Sequence, residues 1–327
     1  MDEELLDQFA DDDDADPRSF EKQFYQLDYL IADRNFTDND ELEKFVDEVF
    51  QNQDKWDEYA AQHKKSVEEE AQELCYDAFS VDEPEDRIKL ARKALQLFPN
   101  CADAYVILAE EEASSEKEEL KHYLKGVEVG RLALDPKYFE NKDGNLWSVT
   151  KARPFLRALA GLASTNWALG NRQQGIDNAV ELIELDSADH QGIRYLLLFH
   201  YIASDKINEA IRLLKKYPDE SVYPWELCKA FLLFIRQGNS ARAQKTLKSA
   251  IEMNPFIGAI IISNTADASL KKYLDQDDEM VQESFLFMSL FMEVFETHPD
   301  GAQGFLAEVL LLHDYIVKEL KKMLDNE

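Results

Sequence analysis

The sequence predicts an all-α protein, and three observations carry that expectation. Strong helix formers dominate while breakers are few, with 11 Gly and 9 Pro among 327 residues, so long segments can stay helical. Apolar residues recur at three- and four-residue spacing along most of the chain, the period of a helix face. Small residues also recur at a long interval: Gly175, Ala210 and Ala243 follow one another at 35 and 33 residues, each in the second helix of a helix–turn–helix pattern. The β-branched cluster Ile257–Ile262 is the one competitor for a strand.

Taken in order, residues 1–16 read as an acidic disordered tail, because Asp11 to Asp14 repel one another and Pro17 closes the segment. Leu5, Leu6 and Phe9 within it have the spacing of a short helical binding motif; the competing reading is a solvated tail. Residues 17–80 are expected as an N-terminal helical module. Its first helix covers 18–31 through Phe20, Phe24, Leu27, Leu30 and Ile31. A second covers 37–51 behind capping residues at 37–40, and a third runs unbroken over about 56–79.

Residues 81–255 carry the repeats. Pro84 suits a first helical turn, where a missing amide costs nothing; Ile88, Ala91, Ala94 and Leu95 form that helix's inner face, and Phe98-Pro99-Asn100 ends it. The run AYVILAEEEA at 104–113 is the next helix, and its partner ends at Leu134-Asp135-Pro136. Residues 137–152, with Gly144 and Trp147, break the period and are expected as a loop. The hairpin over 157–187 is the clearest unit: its helices turn at Gly170-Asn171, and Ala163 and Gly175 allow close approach. Helices over 195–203 with 207–216, and 225–236 with 241–253, repeat the pattern. A unit of about 34 residues is that of the tetratricopeptide repeat. The expected architecture is thus a tetratricopeptide-like, right-handed solenoid of helical hairpins. Residues 256–327 are expected to cap it, with a hydrophobic loop around Ile257–Ile262 and two long helices at 280–295 and 302–324. Leu310, Leu311, Leu312 and Ile316 are too apolar for a solvated face and should cover the open end of the array.

Charge bounds the function. The net charge is -30, and 21 of the 66 acidic residues precede Tyr59 against five basic ones. Such a field repels nucleic-acid backbones and anionic membranes, so neither is expected as a partner. The start MDEELLDQFADDDDAD has no basic or apolar region of a secretory signal, and no apolar run approaches the roughly 20 residues that span a bilayer. A soluble, cytoplasmic protein is expected. Cys75, Cys101 and Cys228 are odd in number and far apart in sequence, which reads as reduced core thiols and no disulfide frame.

Three pieces, AYVILAEEEA at 104–113, the hairpin from Arg157 to Leu185 and the boundary AIEMNPF at 250–256, together resemble the suppressor of tumorigenicity seven family. The resemblance implies a tetratricopeptide-like helical protein without known catalysis. Animal members of that family are membrane-associated through hydrophobic segments that are absent here, so a soluble relative fits better.

Catalytic patterns are thin. Glu119 and His122 make one Glu-x-x-His spacing, but a di-iron bundle needs two such pairs and two further glutamates. No HExxH, zinc-knuckle cysteine pair or Gly-rich phosphate loop occurs. No metal, cofactor or catalysis is expected. In tetratricopeptide arrays the first helix of each hairpin lines a concave groove. Counting along those helices places Glu110, Arg157, Ala160, Ser164, Trp167, Tyr195, Phe199, Trp225, Cys228, Leu232 and Ile235 on that face, with Lys229 and Arg236 beside it. The candidate partner-binding residues are Arg157, Ser164, Trp167, Tyr195, Phe199, Trp225, Lys229 and Arg236. Aromatics with a few cations suit a peptide or helix of basic or amphipathic character. The competing reading makes the aromatics core and pairs Arg157 and Lys229 with neighbouring carboxylates. Ala160 and Cys228 stand where chaperone-tail clamps carry their polar residues, so no binding to a Glu-Glu-Val-Asp tail is expected. A non-catalytic interaction scaffold is the favoured reading, with the acidic tail steering the partner or covering the groove. A structural homo-oligomer through the C-terminal helices and an enzyme with an unrecognised site are the alternatives.

Overall fold

The computed structural model describes residues 16–140, 144–275 and 279–324. Among these residues every regular element is helical, and the only bridge of extended backbone joins Asn145 to Asp186. The fold is all-α, as composition and period predict. The expected tail and its Leu5, Leu6, Phe9 motif lie outside the described residues. The chain divides into two compact units, Met1–Gln191 and Gly192–Glu327, so the expected boundaries at 80 and 255 both fall inside a unit.

In the first unit a 3₁₀ turn, Pro17–Phe20, is capped by Asp16, whose carboxylate accepts from the Arg18 amide. Helices α1 (Glu21–Ala32), α2 (Asn39–Gln51) and α3 (Gln53–Gln62) enclose Tyr29, Leu30, Phe45, Val49 and Trp56. The start of α2 follows its capping signal, with Asp38 accepting from the Glu41 amide. The helix expected over 56–79 is two helices. Helix α4 (Val67–Phe79) restarts at Ser66, which accepts from the Glu69 amide while the Glu69 carboxylate accepts from the Ser66 amide. This Ser-x-x-Glu box supplies two orphan donors of the new helix with acceptors.

Helices α5 (Pro84–Leu97), α6 (Ala102–Glu111) and α7 (Glu116–Ala133) follow, each packed on its predecessor, with α5 packed on α4. Ala71, Cys75, Tyr76, Ala91, Ala94, Ala104 and Ile107 form the core that α4, α5 and α6 share. The segment expected as a loop over 137–152 holds a short helix α8 (Lys137–Glu140) and two 3₁₀ turns, Leu146–Ser148 and Thr150–Ala152. Helix α9 (Arg153–Ala168) therefore begins before the predicted hairpin, with Pro154 in its first turn. It packs on both α7 and α10 (Arg172–Leu185), and Phe155, Leu156, Leu159 and Leu162 are at most 4% exposed. Burying each such side chain contributes roughly 1.5–3 kcal/mol, which makes α9 the central element of the unit. A Cβ added at Gly175 would lie 3.0 Å from the Ala163 carbonyl oxygen, so the small residues mark a true close approach.

The second unit opens with the two expected hairpins, α11 (Ile193–Ala203) with α12 (Ile207–Lys216), and α13 (Tyr223–Gln237) with α14 (Ala241–Met253). Ala210 and Ala243 are fully buried. Helix α15 (Pro255–Thr265) replaces the expected hydrophobic loop: every residue from Pro255 to Ser263 is buried, and Asn254 caps it by accepting from the Phe256 amide. A helix apolar on all sides has no stripe for periodicity to detect. After a 3₁₀ segment (Ala268–Tyr273) come α16 (Glu279–Thr297), α17 (Pro299–Leu311) and α18 (His313–Leu324), so the helix expected over 302–324 is broken at Leu312. The Phe231 ring lies 5.3, 5.4 and 5.5 Å from those of Phe291, Phe295 and Phe305 and centres this core. Ile316 is fully buried as expected, but Leu310 and Leu311 are 39% and 76% exposed. Their exposure corrects the expectation that they cover the open end of the array. No helix among the described residues is long and apolar enough to cross a membrane.

Candidate functional site

The first unit holds an open cavity of about 460 Å³ whose walls come from α1, α6, α7, α9 and the segments around Arg18, Trp147 and His190. Its floor is an ion-pair frame. Arg157 of α9 donates from Nε and Nη2 to the two carboxylate oxygens of Asp103 at 2.9 and 2.6 Å, and from Nη1 to Glu21 at 2.7 Å. Gln72 donates a further bond to Asp103 at 2.7 Å, and Arg153 lies 3.3 Å from Glu21. Burial alone would lower the Arg157 pKa, but Asp103 and Glu21 hold it well above the ordinary guanidinium value. Paired and bonded in this way, the Arg157 guanidinium keeps its charge inside the fold.

A second arginine closes the rim. Arg18 donates from Nη1 to both oxygens of Glu110 at 3.0 and 2.8 Å and from Nε and Nη2 to Asp16, and its guanidinium lies 4.1 Å from the centre of the Phe79 ring. Burial raises the Glu110 pKa above the usual carboxyl value against the pull of Arg18. Opposite, His190 is held at Nδ1 by Asp186 at 2.8 Å, and the Trp147 ring stacks on it at 5.6 Å. The Tyr123 ring fills the place of a side chain on Gly161, where an added Cβ would lie 2.1 Å from Cε1. The cavity thus combines fixed charge with aromatic wall. Arg18 and Arg157 already bond two carboxylates each, so an anion gains little there, whereas a carboxylate such as Glu110 has lone pairs left to accept from a cation.

The predicted face residues divide. Glu110, Arg157, Ala160 and Ser164 line this cavity together. Arg157 is only 7% exposed, so its expected role as a cation offered to a partner is corrected: it is the keystone of the floor. Ser164 is exposed on the wall and donates to the Ala160 carbonyl at 3.3 Å. Trp167 is half-buried with the Arg172 guanidinium 4.6 Å from its ring. In the second unit Phe199 and Trp225 are each 2% exposed and belong to the core, a second correction, since large aromatics at helical spacing maximise buried area there. Tyr195 is half-buried, meets Trp225 edge to face at 6.0 Å and donates to Glu220 at 2.7 Å. Lys229 pairs with Glu226 at 2.7 Å, and Arg236 is exposed at the end of α13. Reasoning from sequence missed Arg18, Trp147 and His190, because they lie on turns outside the repeat whose positions it counted.

The cysteines also depart from their sequence spacing. Cys75 and Cys101, 26 residues apart, bring their sulfurs to 3.5 Å, and all three thiols are free and buried. Among the described residues no group of three or more His, Cys, Asp or Glu is arranged to hold a metal ion.

No curated protein matches the chain. The family described as ST7 protein matches residues 32–138, which run from the end of α1 to α8 and supply Asp103, Glu110 and Tyr123 of the cavity. The match includes the run AYVILAEEEA and reaches back into the N-terminal module; the pieces at 157–185 and 250–256 fall beyond it. Over that third of its length the chain is similar to the ST7 family.

Proposed function

We propose that this protein is a non-catalytic, tetratricopeptide-like scaffold that binds a segment of another protein in the cavity of its first unit. The observation that carries the reading is the convergence of Glu110, Arg157, Ala160 and Ser164, four residues of the face assigned to partner binding, on one open cavity of about 460 Å³. The buried Arg157 frame fixes the floor at no cost in ordering on binding, the condition under which contacts appear as affinity. A partner offering a basic side chain to Glu110 and an apolar one to Tyr123 and Trp147 matches the walls. The three free, buried thiols suit the reducing cytoplasm as its place of work.

The test is affinity capture with the full chain and with Ser164→Arg, which fills the exposed wall without touching the core; Lys89→Glu, on α5 away from the cavity lining, is the control. The reading expects a protein retained by wild type and Lys89→Glu and lost from folded Ser164→Arg. Equal recovery by all three overturns it.

A further inference from the structure

The second unit carries an apolar groove of about 480 Å³ between α15, α16 and α17, lined among others by Ile260, Ile261, Phe285, Met288, Met292 and Leu306. Its open side carries uncovered apolar surface: Phe285 is 45% and Met292 53% exposed. One turn beyond Leu306 stands Leu310, 39% exposed. A contiguous apolar surface of this kind, lined by adaptable methionines, marks a place where another chain sits.

Charge decides what kind of chain. The three helices that frame the groove contain no lysine or arginine, and the acidic residues nearest its edge are Glu293 and Glu296 of α16. Glu296 follows Met292, and Glu293 follows Ser289, by one helical turn on the groove side of α16; Glu296 is exposed. The nearby basic residues Lys271, Lys272, Lys318, Lys321 and Lys322 are not among the lining. An occupant must therefore bring apolar side chains on one face and positive charge beside them. Residues 1–15 cannot supply this, since they hold eight acidic residues and no basic one. A second copy fits no better: at a net charge of -30 two chains repel. Its lysine-bearing helix α18 already buries Ile316 and Leu320 within its own unit.

We infer that this groove docks a basic amphipathic helix of a partner protein, the helix-in-groove mode in which apolar residues spaced three and four apart enter the cleft and flanking lysines or arginines meet the acidic rim. The site is separate from the cavity of the first unit and stands whether or not that reading holds.

The probe is a fluorescent helical peptide of about 18 leucine and lysine residues, one apolar face at helical spacing, titrated into the full chain and followed by anisotropy. Micromolar binding is expected, weakening at least tenfold at high salt. A peptide with the same leucines but glutamate for every lysine should bind at least tenfold more weakly. Met292→Gln, at an exposed position, should lose about tenfold, as should Glu296→Lys, which leaves the apolar lining intact. Ser164→Arg should change nothing. Absence of binding, equal binding of the glutamate peptide, or affinity indifferent to both groove variants overturns the proposal. So does a concentration-dependent dimer that Met292→Gln dissolves, which would assign the groove to a second copy.

Discussion

Replacing Arg157 by Met is the perturbation whose cost follows most directly from the structure. The change removes two hydrogen bonds to Asp103 and one to Glu21. Asp103 is fully buried and, among the described residues, keeps Gln72 as its side-chain donor, and Glu21 is 7% exposed. Removing one partner of a buried pair and leaving the other charge stranded costs about 3–5 kcal/mol, a large part of the roughly 5–15 kcal/mol that holds a domain together. With a urea m-value of about 2–3 kcal/mol/M, the midpoint of the first unit falls by more than about 1 M. The double variant Arg157→Met, Asp103→Asn removes the stranded charge and recovers part of the loss, giving a coupling energy above about 1 kcal/mol. Urea melts followed by circular dichroism and by tryptophan fluorescence measure both. A loss below about 1 kcal/mol, the range of exposed pairs, would refute the keystone role.

Other perturbations follow from particular contacts. Gly175→Ala adds helix propensity worth about 1 kcal/mol, but its Cβ meets backbone atoms of Ala163 and Trp167 at 3.0 and 3.2 Å, and overpacking of this kind costs about 1–3 kcal/mol. The variant should melt lower than wild type, and a higher melting temperature contradicts the close approach. Burial alone would lower the His63 pKa, yet hydrogen bonds to Asp33 and Glu69 carry it above the ordinary value. A group whose folded pKa is raised stabilises fully below its unfolded value, about 6.5 for histidine, and loses that contribution as pH rises through the folded value. Stability should therefore fall as pH rises above the ordinary histidine value of about 6.5, and His63→Gln should flatten this component of the profile. Burial pushes the Cys228 thiol up to about 12 and the Cys75 thiol above its ordinary value; the native chain should resist a thiol reagent that titrates all three cysteines once it is unfolded.

The elements with an amphipathic stripe were legible before any coordinates. The hairpins around Gly175, Ala210 and Ala243 stand where the small-residue interval puts them, because close backbone approach demands a small side chain wherever it recurs. Two kinds of element escaped. Helix α15 is apolar all round, so its isoleucines look like a strand or a sticky loop until its neighbours cover them. The break before α4 is set by one capping box, Ser66 with Glu69, while the apolar spacing runs on across it. For the cavity, Ser164 and Glu110 follow from counting along repeat helices. Arg157 lies on the same count but turns inward, because Asp103, 54 residues away, and Glu21 claim its guanidinium; no local pattern reveals such a partner. Leu311 errs the other way, apolar in sequence and exposed in the fold.

The measurement that tests the scaffold reading most directly is photocrosslinking in intact cells from a benzophenone side chain placed at Ser164, with the same group at Lys89 as reference. The cavity reading predicts a discrete adduct with one partner protein from position 164, absent from position 89 and suppressed when Glu110 is changed to Lys. No adduct, or the same set of adducts from both positions, would contradict it.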